Sequence, residues 1–520
     1  MRPTTRTLVL RALLAISLMI AFYALALAIA AALGFAGSTI LLAVLDFRGR
    51  AALFALLLGV GMWIAAGVIA WSIIPRIDRF TPPGPELVRG DAPALFDVIA
   101  DVARATGQAE PRHVYLVPDV NAFVTERGGV MGLGSQRVMG VGLPLLELLT
   151  VAELRAVIAH EFGHFDGGDT KLGPWIYKIR GAMGRTIANL EAAAHGSHQM
   201  SDTLGWMLRA LRMPFVWFTR LSLRITQAIS RQQERDADAL ACRVAGSRAL
   251  AEGLKKLHGG ALAFDAFYRS EVGMVIAAGR MPPLADGFSS FRANGKLHEA
   301  IQRAIGDELA SSQTDPFDSH PPLRERVDAA ESLAAPSRDE DAREALALVP
   351  DVAALEARLV PFLSDAPLAP IEWSEVPAEV ILPQWRTHQP KIAGALAGTT
   401  PADLPRGRAA LLPLCARALG FDPAEIVETT DEELHEWASS FYGTAIALLL
   451  ADRGHRPECD PGQPLLLRRG REAIDPIALA RAWISGELDP GAWRARLQAL
   501  GIADVDLAAL TPAAPATPPA

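Results

Sequence analysis

Thr150-Val151-Ala152-Glu153-Leu154-Arg155-Ala156-Val157-Ile158-Ala159-His160-Glu161-Phe162-Gly163-His164 is the stretch on which the reading of this chain turns. Its first four residues have the Ser/Thr-x-x-Glu form of a capping box, in which side chains and backbone amides at a helix start satisfy one another. Leu154, Val157, Ile158 and Phe162 follow at the spacing of one helical face. His160 and His164 are four apart on that helix, so both imidazoles can reach one ion. Glu161, beside the first histidine, can take a proton from a water attacking a carbonyl without itself binding the ion. With 11 histidines in 520 residues, an HExxH pattern arises by chance in about one shuffled sequence in a hundred.

A catalytic zinc takes three protein ligands and keeps its fourth position open. In a metzincin the third histidine would stand at Thr170, so that branch is excluded. The best source of the missing ligand is Ser230-Arg231-Gln232-Gln233-Glu234-Arg235-Asp236-Ala237-Asp238. Glu234 and Asp238 share a helical face, and one carboxylate can ligate while the other accepts an N–H from a liganding histidine. His320, before Pro321 and Pro322, is held in an extended or turn conformation and is a candidate for stabilising an oxyanion.

Two uncharged apolar runs, Ala12–Leu33 and Ala51–Pro75, are each long enough to cross a bilayer, which takes about 20 residues. The first is longer than the apolar core of a signal peptide, and a second span follows closely. Arg2, Arg6 and Arg11 precede the first run and Arg76, Arg79 and Arg89 follow the second, against Arg48 and Arg50 between them. That bias predicts a hairpin with both ends cytoplasmic. Net charge is −8, which gives no sign of a nucleic-acid partner. Three scattered cysteines, Cys242, Cys415 and Cys459, make no disulfide framework.

Helix is expected over Ala92–Thr106, and extended chain over Arg112–Val117, Asn121–Thr125 and Arg137–Gly142. Trp206–Gln227 is apolar but carries Arg209, Arg212, Arg220 and Arg224, which fall within about 120° on a helical wheel. That pattern describes an amphipathic helix, at the membrane interface or packed on the domain, in preference to a span. The charged stretch Ser337–Glu344 is read as a boundary, and the Pro/Ala/Thr-only end, Thr511–Ala520, as disordered.

Residues 120–330 resemble the HtpX-type zinc endopeptidases, relatives of the CAAX prenyl endopeptidases. The resemblance is carried by Asn121-Ala122-Phe123, Gly142-Leu143, Glu153-Leu154 through His164, Asp169, Glu234…Ala237-Asp238 and His320-Pro321…Arg326-Val327, in the family's order. It implies Glu234 as third ligand, Glu161 as general base, Asp238 as partner of a liganding histidine and His320 near the reacting carbonyl. It also implies an edge strand near Asn121 where substrate adds as an extended strand. Members often carry further spans between the HExxH helix and the third ligand, where this chain has its arginine-bearing segment.

The expectation is an α+β, mainly helical fold. A transmembrane hairpin (1–80) precedes a zincin-like metallopeptidase domain (81–335), a mostly helical C-terminal region of unknown role (345–510) and a tail (511–520). The expected activity is hydrolysis of peptide bonds in membrane or membrane-proximal proteins, with one Zn2+ per chain, at the inner membrane and with a cytoplasmic catalytic domain. Alternatives are a prenyl-protein CAAX endopeptidase, against which two spans argue, and a non-catalytic zinc-binding scaffold, which would not need Glu161.

Overall fold

The computed structural model describes residues 5–44, 48–74, 80–128, 134–165, 173–196, 202–310, 321–336 and 341–507. The chain divides into two compact units, residues 1–261 with 302–355, and 262–301 with 356–520.

The first unit opens with α1 (Thr5–Ala43) and α2 (Arg50–Ile73). Within them, Ile16–Ala43 and Arg50–Ile73 are the two helices among the described residues long and apolar enough to cross a membrane. Both point large apolar side chains outward, among them Leu27, Phe35, Leu53 and Leu57. A soluble helix would turn such a face inward.

A four-stranded sheet follows, built from β1 (Glu86–Leu87), β2 (His113–Val117), β3 (Ala122–Arg127) and β4 (Gln136–Gly142) in the order β1-β2-β4-β3. The three longer strands lie where the sequence called for extended chain. β2 runs parallel to β4 and β3 antiparallel to it, so β3 is an edge. Phe123 on β3 faces Gly140 on β4. A Cβ on Gly140 would stand 2.3 Å from the Phe123 ring, so only glycine lets that ring lie across the strand. Helix α3 (Pro93–Thr106) starts with a proline in its first turn and stops at Gly107, whose φ of 71° is left-handed.

α4 (Leu143–Leu148) leads into α5 (Val151–Gly163), the HExxH helix. The capping box forms as expected: the Thr150 hydroxyl accepts from the Glu153 amide at 3.3 Å, and the Thr150 amide donates to Glu153 Oε2 at 2.8 Å. Leu154, Val157, Ile158 and Phe162 are all buried. α6 (Gly173–Gly196), α7 (Asp202–Ala245) and α8, which begins at Ser247, complete the packing, and Lys256 of α8 donates to Glu153 at 2.8 Å.

Of the charged segment expected to be a boundary, the described residues 341–344 are docked on α5. Val151 N donates to Arg343 O at 2.9 Å, Ala152 N to Asp341 O at 3.1 Å, and Ala345 N to Leu149 O at 2.8 Å. The first turn of a helix has amides without intrahelical partners, and these carbonyls supply them. The first unit accordingly runs past Glu344 to Leu355.

The second unit is helical apart from the pair Arg280–Met281 with Ala369–Pro370 and a three-stranded meander, Arg456–Glu458, Leu466–Arg469 and Glu472–Ile474. Its core centres on Trp483 and Trp493, stacked with centroids 5.1 Å apart. Both indoles are buried yet satisfied, donating to Leu404 O and Pro401 O at 2.9 Å each.

Thr150→Ala removes one side of the capping box, at a cost of about 1 kcal/mol. Hydrogen exchange should then be about fivefold faster at the Glu153 amide, with the amides of β4 unchanged.

Candidate active site

His160 lies in the last turn of α5 and His164 is its C-terminal cap. Their rings meet edge to face, with centroids 4.8 Å apart. Opposite them stands Glu234, from α7. Its Oε2 is 3.5 Å from His160 Nε2 and its Oε1 is 3.6 Å from His164 Nε2. Ligands bound tetrahedrally to zinc at about 2.0–2.2 Å lie about 3.4 Å from one another. The two imidazoles and the distant carboxylate are thus spaced for one shared cation. One donor atom each from His160, Glu161 and His164 also lie within 4.8 Å of one another.

This convergence depends on a close helix crossing. A Cβ on Gly163 would fall 2.7 Å from Ala237 Cα. Glycine at 163 lets the backbones of α5 and α7 touch there, and Glu234 and Asp238, on either side of Ala237, then reach the histidines.

Asp238 Oδ1 is 2.9 Å from His160 Nδ1. An N–H donated from Nδ1 leaves Nε2 as the lone-pair side, facing Glu234. Arg326, on the Leu323–Leu333 helix, grips Asp238 in turn, with Nε 2.9 Å from Oδ2 and Nη2 2.7 Å from Oδ1. This fork-on-fork pair fixes the carboxylate in both position and plane.

His160, Glu234 and Asp238 are buried, at 6%, 4% and 3% exposure. Three carboxylates (Glu161, Glu234, Asp238) against one guanidinium (Arg326) give −3 + 1 = −2, the charge a single divalent cation would neutralise. Buried charge of that size needs a counter-charge. Without a cation, a proton supplies part of it. Burial alone would lower the His160 pKa, but the hydrogen bonds to Asp238 and Glu234 outweigh it and carry it up to about 9. Burial also opposes ionisation of Asp238, yet its bonds to His160 and Arg326 hold it below the usual carboxylate range. Glu161 is raised, chiefly by burial and further by Glu234, against the pull of His160 and a backbone hydrogen bond from Val124 of β3.

The structure brings together His160, Glu161, His164, Glu234 and Asp238. His320 and Thr170 lie outside the described residues. Two contributors carried no role in the sequence reading. Gly163 stood there only as a variable position of HExxH, and Arg326 only as part of a matching run.

An HExxH helix faced by a buried carboxylate from a second helix, with one histidine braced, is an arrangement with the donors to hold a divalent cation. Residues 91–334 match the peptidase family M48. Over 252 residues the chain is 29% identical to a protease HtpX homolog of Persephonella marina, covering 46% of this chain and 75% of that protein. It is 28% identical over 288 residues to the protease HtpX homolog of Pelotomaculum thermopropionicum, covering 53% and 87%. A third, from an Arthrobacter species, is 27% identical over 246 residues, covering 47% and 73%. Residues 91–334 are therefore similar to the M48 peptidases, and to the HtpX-type proteases in particular.

Gly163→Ala should force α5 and α7 apart and lower affinity for a divalent cation about 10–100-fold, read by competition with a chromophoric chelator. His160 must also shed its proton to bind a cation. Affinity should therefore climb with pH, by up to about tenfold per unit, between about 6.5 and 9. In the cation-free protein the sign is opposite. A pKa raised in the folded state stabilises fully below about pH 6.5, and that contribution is lost as pH rises through about 9. The melting temperature of chelator-treated protein should fall across that window, and by less in Asp238→Asn.

Proposed function

We propose that this chain is a membrane-anchored zinc endopeptidase that hydrolyses peptide bonds of membrane or membrane-proximal proteins. The observation that carries the reading is the pair of separations, 3.5 and 3.6 Å, between the Glu234 carboxylate and the two imidazoles. The names of the relatives, protease HtpX homologs, support it.

In this reading His160, His164 and Glu234 hold one Zn2+. When bound, the cation supplies Lewis acidity at a peptide carbonyl and makes water a competent nucleophile near neutral pH. Asp238, gripped by Arg326, keeps the Nδ1 proton of His160 in place. Glu161 takes the proton of the attacking water and delivers it to the departing amine. Burial and the neighbouring Glu234 raise its pKa above the usual carboxylate range, which strengthens it as a base.

Substrate adds along the open edge of β3. Val124, which bonds Glu161 through its backbone, sets the register between an added strand and the catalytic carboxylate. His320, immediately before the Pro321-Pro322 approach to the Arg326 helix, stabilises the oxyanion. The arginine bias around the two apolar helices supports a multi-pass inner-membrane protein with its catalytic domain on the cytoplasmic side.

Metal analysis of protein purified without added metal should find one zinc per chain. Glu161→Gln should keep that zinc and lose about 10²–10⁴-fold in cleavage of casein, whereas Glu234→Ala should lose the zinc itself. Wild-type cleavage by Glu161→Gln would overturn the mechanism.

A further inference from the structure

Helix α7 is apolar on two faces. Its inner face places Leu208, Leu211, Phe215 and Phe218 in one cluster with Phe22 and Ala26 of α1, Ala65 and Ile69 of α2, and Leu190 of α6. The rings of Phe215 and Phe218 lie 6.3 and 6.0 Å from that of Phe22. Its outer face carries Met213, Trp217 and Leu221, four residues apart and 49%, 68% and 45% exposed. A stripe of this size is costly in water and marks a surface that meets an apolar partner.

Two contacts fix the level of that stripe relative to the spans. Asn189 of α6 donates to Ser72 near the end of α2 at 2.9 Å, beside the exposed Trp71. Glu191, one short step further along α6, pairs with Arg212 of α7 at 2.8 Å. Trp217 is five residues beyond Arg212, about 7.5 Å along the axis. It therefore lies within about two helical turns of Trp71, where an apolar span ends and tryptophan is the favoured residue. The exposed Arg220 and Arg224 continue the same face about 4.5 and 10 Å further on. The polar layer of a bilayer is about 5–8 Å thick on each side, which sets Arg220 within that layer and Arg224 just beyond it, a distance that a long arginine side chain spans.

We propose that the outer face of α7 rests in the headgroup layer of an anionic leaflet. Met213 and Trp217 meet the upper acyl chains, and Arg220 and Arg224, on either side of Leu221, bind lipid phosphates. Continuity with α1 and α2 selects a bilayer as the occupant, and the interleaved arginines select anionic phospholipid. The inference rests on the membrane-anchored reading above but is independent of the peptidase chemistry.

The test uses the full chain in nanodiscs, with a nitroxide on Trp217→Cys or, as reference, on Leu57→Cys of α2. Cys459→Ser removes the half-buried thiol, while Cys242 and Cys415, at 1% and 0% exposure, stay shielded. In discs containing phosphatidylglycerol, the label at 217 should be relaxed more by oxygen, which partitions into lipid, than by an aqueous nickel chelate. The oxygen-to-nickel ratio should fall at least threefold in Arg220→Gln/Arg224→Gln, and likewise in purely zwitterionic discs. A label at 217 open to nickel, or shielded from both reagents as against a second copy of the chain, would overturn the proposal. An unchanged ratio in the double variant would overturn the phosphate contacts. If the label at 57 is also open to nickel, the membrane-anchored reading itself fails, so the two failures are told apart.

Discussion

The arrangement depends on burying acid. Glu234 and Asp238 sit at a helix crossing with almost no access to water, and a third carboxylate, Glu161, adjoins them. Carboxylates in such a place ionise only against matched positive charge. Arg326 provides one unit and an imidazolium at His160 a second, while a divalent cation between the helices would supply both of the units that Arg326 leaves. The close approach at Gly163 and Ala237 makes the crossing narrow enough for this exchange. A proton on His160 and a cation at the proposed site would therefore compete for the same buried charge.

The surrounding structure holds α5 still from both ends. At its N-terminus, three successive amides find partners outside the helix, in Arg343 O, Asp341 O and the Thr150 hydroxyl. At its C-terminus, the Phe165 ring just beyond His164 carries the Arg137 guanidinium at 4.4 Å, which ties the end of the helix to β4. A histidine pair set on a helix pinned in this way loses little conformational freedom when it takes up a ligand, the general benefit of preorganisation.

Local signals were legible in the sequence, and distant ones were not. The capping box and the apolar stripe of α5 can be read because their partners lie three or four residues apart. The strands and the two spans follow from composition over short windows. The spacing of Glu234 and Asp238 marked a shared face, but their reach to the histidines depends on Gly163 meeting Ala237, 74 positions along the chain. Arg326 meets Asp238 across 88 positions. Neither contact leaves a periodic trace. The stretch Ser337–Glu344 was read as a boundary from its charge, while the carbonyls of Asp341 and Arg343, which composition does not report, bond the start of α5.

α7 extends unbroken from Asp202 to Ala245, with Trp217 and Glu234 on one rod. The 17 helical steps from one to the other set about 25 Å along the axis. A chain tethered in the same leaflet would need about eight residues of extended backbone to climb that far. With Trp217 at the proposed membrane level, the helix would be a measuring stick: short juxtamembrane stubs would fall beneath the carboxylate, and only polypeptides with a long enough free leash would reach it.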